Sequence, residues 1–153
     1  MWLLAIGLSW AADSNPVQDQ IWRKLASRDA FEGCQALSAL GTPEQVRDAL
    51  LVLSAAEAPA WVPMRAASCV VPLAAQDPLA LAAVRGWMTD PAVPGLALVV
   101  VNELDQLPEP LAKELAVSAV DRMKVDARFA RRAPAALESS VHASVRELSA
   151  GAK

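Results

Sequence analysis

Apolar residues recur at helical spacing from about residue 15 to the end of the chain, and the pattern breaks at Gly or Pro with capping residues beside them. Ile21, Trp22 and Leu25 form a one-sided stripe suited to a terminal helix that closes the end of a helical array. Beyond it the pattern predicts paired helices: about Asp29 to Leu40 with Pro43 to Ala55, Val62 to Ala75 with Pro78 to Thr89, and Gly95 to Leu107 with Pro110 to Met123. A shorter fourth pair reads as Asp126 to Arg132 and Pro134 to Leu148, broken at Pro134. The one β-like run, Leu98-Val99-Val100-Val101, lies where Leu96, Val99, Val100, Leu104 and Leu107 keep helical spacing, so a buried helix is expected there.

Prolines punctuate the pattern. Thr42-Pro43, Asp77-Pro78 and Glu109-Pro110 each open a helix-like stretch, with 35 residues between the first two prolines and 32 between the next two. Val62, Val93 and Val125 mark successive units at separations of 31 and 32. Thr42 with Gln45, and Asp29 with Glu32, read as reciprocal caps, and Asp77-Pro78 and Asp90-Pro91 as cap-then-proline pairs. A repeat of this length predicts an all-α chain: a short α-solenoid of about three to four antiparallel helical hairpins with an N-terminal capping helix. The competing reading is an ordinary helical bundle with accidental proline spacing.

The chain divides into residues 1–12, 13–28 and 29–150. Met1 to Ala12 carries no charged side chain, is too short to span a bilayer, and ends in the small-any-small run Ser9-Trp10-Ala11, as a secretory signal peptide does. It lacks a basic start, and an apolar helix docked on the core is the other reading. Residues 13–28 form a linker and capping helix, and residues 29–150 the repeat domain. Export to a periplasm or the extracellular space is expected, with the cytoplasm as the alternative.

Within the second unit, Val62-Pro63-Met64-Arg65-Ala66-Ala67-Ser68-Cys69, Leu73, Gln76-Asp77-Pro78, Val84 and Met88-Thr89-Asp90-Pro91-Ala92-Val93 resemble a HEAT repeat, and a weaker likeness extends over about Asp29 to Leu148. Tetratricopeptide units have similar length but call for a Tyr, which this chain lacks. The HEAT resemblance implies a right-handed superhelix of antiparallel pairs that binds a protein partner or acts as a scaffold, without catalysis. It also implies that the second helices line the concave side, which makes Gln45, Arg47, Asp48, Arg85, Lys113, Glu114 and Ser118 the candidate partner face. The alternative, from another class, is an accessory or lyase-type HEAT-like protein acting on a bilin chromophore or other small molecule.

Composition narrows the chemistry. The 153 residues are 54% hydrophobic with a net charge of −3, enough for one well-cored domain. A pI near 5.1 disfavours nucleic acid, including the substrates of HEAT-like DNA glycosylases. There is no Gly-rich phosphate loop, nucleophile elbow or metalloprotease motif, so neither cofactor nor metal is expected, and the single His142, near Ser139, Ser140 and Ser144, reads as solvated. Arg122, Lys124, Arg128, Arg131 and Arg132 gather the one basic patch, read as a solvated face with Asp121, Asp126 and Glu138 nearby, or as a contact for an acidic partner or anionic membrane. Cys34 and Cys69 sit 35 residues apart on the first helices of successive units. Either they form a disulfide, or they are two buried thiols.

Overall fold

The computed structural model describes residues 15–27 and 31–152. Among these the chain is all-helical, with no strand: α1 Pro16–Ala26, α2 Cys34–Leu37, α3 Pro43–Ser54, α4 Trp61–Leu73, α5 Pro78–Thr89, α6 Pro94–Asn102, α7 Glu109–Met123, α8 Ala127–Ser139 and α9 Ala143–Gly151. Single 3₁₀ turns follow α2 and α6. The proposed signal segment, residues 1–12, and the Asp29 cap lie outside the described residues.

Side chains fix the starts of α1, α3, α5 and α8. The first-turn amides of a helix have no intrahelical acceptor, so a neighbouring side-chain oxygen stabilises the end by about 1 kcal/mol. Asn15 accepts from the Val17 amide, and Asp77 accepts from Leu79 and Ala80. Asp126 accepts from Arg128 and Phe129. Thr42 and Gln45 close the reciprocal cap anticipated from sequence, each accepting the other's backbone N–H. A Cβ added at Gly41 would come within 3.1 Å of Val17, so glycine lets α1 approach the start of α3.

Helices pack on near neighbours in the chain. α1 lies against α3 and α4; α3 against α4; α4 against α5 and α6; α5 against α6 and α7; α6 against α7 and α8; and α7 against α8 and α9, with α8 also packed on α9. One continuous core follows this path, from Ile21 and Leu25 through Leu50, Val70, Val100 and Leu115 to Phe129, Leu137 and Val145. Ala66, Ala80, Ala97, Ala112, Ala116, Ala119 and Ala133 are all fully buried, and their small side chains let the helix axes come close.

Several sequence expectations need correction. α8 runs through Pro134 without breaking, because Phe129, Ala133 and Leu137 keep one face buried across it; the interruption comes at Ser140. α6 ends at Asn102 instead of Leu107, although Leu104 and Leu107 remain buried beyond it. The first helix of unit one is only Cys34–Leu37, preceded by Gly33 at φ 95°, a left-handed conformation that side chains disfavour. Asp90 does not open a helix: it ends α5, and its carboxylate accepts the Ala92 amide to make a turn. Val125, read as a unit marker, is 86% exposed.

Candidate functional site

The structure sets α5 beside both α3 and α7, so the seven candidate face residues fall on three successively packed helices. Most are already engaged. Gln45 closes the cap of α3. Arg47 bridges Asp48 and Asp77, its guanidinium 2.8 Å from a carboxylate oxygen of each. Arg85 makes a two-pronged pair with Glu114 at 2.7 and 2.9 Å, joining α5 to α7. Ser118 donates to the backbone of Glu114 on its own helix. Exposed among these engaged groups are Asp48 and Val52 on α3, Leu79, Ala82 and Gly86 on α5, and Lys113 and Val117 on α7.

These pairs shift acidities. The Arg47 guanidinium, with the Ala80 and Leu79 amides adding to it, holds the Asp77 carboxyl below its ordinary value against the opposing effect of burial. Arg85 does the same for Glu114. The Ser144 hydroxyl and amide lower Glu109. For Asp126 the Phe129 amide is the main cause, followed by Arg128's amide and the nearby Arg122 charge.

Sequence reasoning raised the Cys34–Cys69 disulfide as one of two readings but missed other links at the same spacing. Among the described residues, Cys34 and Cys69 form a disulfide 35 residues apart, with Cα atoms 5.2 Å apart. The same separation joins Ser68 Oγ to Glu103, Arg122 to the Trp87 carbonyl, Ser140 Oγ to Asp105, and Ser144 Oγ to Glu109. The signal was present in the proline period but was not carried through to these side chains.

Two arginines hold neighbouring helix ends. Arg122, read from sequence as part of a solvated patch, is 7% exposed. Its Nη1 donates to the carbonyls of Trp87, Met88 and Asp90 at the end of α5, and its guanidinium lies 5.3 Å from the Phe129 ring. A cation is favoured there because helix dipoles leave partial negative charge at the carboxyl end. Arg65 repeats the device, donating to the Leu25 carbonyl near the end of α1 while stacked between Phe31 and Trp61. Arg122 falls on the buried stripe Ala112, Leu115, Ala119, and that position marks it as a core residue.

His142 is not fully solvated either: its Nε2 is shut off from water and has no hydrogen-bond partner among the described residues. Ser140 Oγ donates 2.6 Å to Asp105 and accepts from the backbone N–H of His142, so this cluster ties the start of α9 to the turn after α6. That is an anchoring role, with the serine hydroxyl held by a carboxylate instead of an imidazole base. Among the described residues no group of three or more His, Cys, Asp or Glu is placed to hold a metal ion, and no helix is long and apolar enough to cross a membrane. No protein-family model matches the chain, and neither a curated protein nor a solved structure is similar to it.

Proposed function

We propose that the chain is a short HEAT-like α-solenoid of antiparallel hairpins that acts outside the cytoplasm as a non-enzymatic protein-binding or scaffold module. The observation that carries this reading is the recurrence of links at a 35-residue separation, from Cys34–Cys69 at one end to Glu109–Ser144 at the other, alongside others at 29 to 40 residues. Such links are what stacked copies of one supersecondary unit produce, since equivalent positions become neighbours. Packing confined to near neighbours in the chain supports the same reading. The disulfide supports an oxidising compartment, because cytosolic reductants keep thiols reduced.

The working surface on this reading is the exposed side of α3, α5 and α7. The bound arginines stiffen it, and Leu79, 55% exposed, and Val117, 43% exposed, supply apolar contact. Charge reversal at Arg47 is a poor probe because it would release Asp77, so the apolar residues are the better ones. Tagged protein, oxidised, should retain from an envelope extract a partner that Leu79→Asp combined with Val117→Asp fails to retain. Equal capture by the double variant rejects this surface.

A further inference from the structure

We propose that a cleft between α6 and α8 is a binding site for a small organic oxyanion, a phosphate monoester or a carboxylate. It lies on helices outside the α3, α5 and α7 face and stands independently of the partner-binding reading. Its volume is about 540 Å³, with Pro94, Gly95 and Leu98 of α6 on one side and Arg128, Arg131 and Arg132 of α8 on the other. The buried ring of Phe129 completes the lining.

The three arginines share one face because residues three and four apart on a helix are neighbours. Like charges at this spacing repel. Arg47, Arg85 and Arg122 each face a carboxylate, Asp48 and Asp77, Glu114, and Asp126 in turn. Among the described residues Arg128, Arg131 and Arg132 have no ion-pair partner, and no acidic residue lines the cleft. A bound oxyanion relieves that repulsion, and guanidinium forks match carboxylate and phosphate oxygens two at a time. The amino end of α6, which begins at Pro94 with no side-chain cap, adds a field of the same sign.

The cleft is too roomy for a bare ion and falls in the size range of small-molecule sites. Pro94 and Leu98 offer an apolar wall on which a ring or alkyl group rests while the anionic end meets the arginines. The ligand is therefore amphipathic: one oxyanion on a compact apolar body. Phosphate carries the greater charge at neutral pH and is expected to bind more tightly than carboxylate.

Phenyl phosphate and benzoate, titrated separately into the oxidised protein at constant ionic strength and followed by calorimetry or amide shifts, test the proposal. Saturable binding is expected, strongest for phenyl phosphate. Arg131→Gln with Arg132→Gln should weaken it by at least about tenfold, from the loss of charge-assisted hydrogen bonds. Gly95→Leu keeps all three arginines but extends a side chain into the cleft, since a Cβ there meets nothing within 4 Å. It should weaken binding comparably, while Lys113→Gln leaves it unchanged. Tighter binding of benzoate would still support an oxyanion site and identify a carboxylate as its ligand. Absence of saturable binding of either probe, or variants that bind as the parent does while retaining their helical circular dichroism, would overturn it.

Discussion

Replacing Arg122 with Met removes a cation and keeps a long apolar stem, so the variant reports what the guanidinium does at the end of α5 together with its 3.5 Å pair to Asp126. Three carbonyls, of Trp87, Met88 and Asp90, lose their donor at 3.0, 3.1 and 3.0 Å. All three draw on one nitrogen with two protons, which makes the loss equivalent to about two charge-assisted bonds, each worth roughly 1.5–3 kcal/mol. The stack on Phe129 adds about 1 kcal/mol. Against this, a buried guanidinium pays to leave water, and its removal recovers part of that cost. The balance is a loss of about 3 kcal/mol, equivalent to roughly 6–12 °C in Tm for a chain of this length. Arg122→Lys keeps the charge but not the planar stack and should fall between Met and the parent. Lys124→Ala, just past the end of the same helix, breaks only an exposed pair with Asp121 and should cost less than about 0.5 kcal/mol. Urea unfolding of the four proteins, oxidised and at neutral pH, gives the comparison. If Arg122→Met is as stable as Lys124→Ala, the end of α5 does not depend on this arginine and the reasoning fails.

Other consequences follow from the same contacts. Cys34→Ala with Cys69→Ala opens a 35-residue loop in the unfolded chain. The loop-entropy account sets the loss at about 3–4 kcal/mol by urea melts, and a change below about 1 kcal/mol would contradict it. Asp77, Glu109, Glu114 and Asp126 all have folded acidities below the ordinary 3.8 or 4.5 of such carboxyls. Their contribution is therefore present above those ordinary values and is lost as pH falls through the lower folded ones. The urea midpoint should drop below about pH 4 and do so less steeply in Asp77→Asn; parallel curves would discount the Arg47–Asp77 bridge.

Much of the fold was legible because its signals are local. Proline spacing, the Thr42–Gln45 box and the Asp77 cap place three helix starts, and helical spacing overrode the β-branched run at Val99-Val100-Val101. What failed depended on tertiary contacts. Pro134 should break a helix by local rules, but burial of Ala133 and Leu137 carries α8 across it. Asp90 has the local chemistry of a cap and instead closes a turn. Charge misled in the same way: Arg122 and Arg128 look alike in sequence, yet one lies under α5 and the other beside an open cleft. Of the candidate face, the helices were legible but not the pairings, because which carboxylate meets Arg47 or Arg85 depends on how α3, α5 and α7 pack.

The central claim is that stability is assembled unit by unit from neighbours in the chain. Hydrogen exchange on the oxidised chain truncated after Lys124, compared with the full-length protein, tests it most directly. α8 and α9 pack on α6 and α7 but not on α3, so amides of α3 and α4 should keep their protection while those of α6 and α7 lose theirs. A uniform loss of protection from α3 to α7 would mean one indivisible globule and would contradict the account.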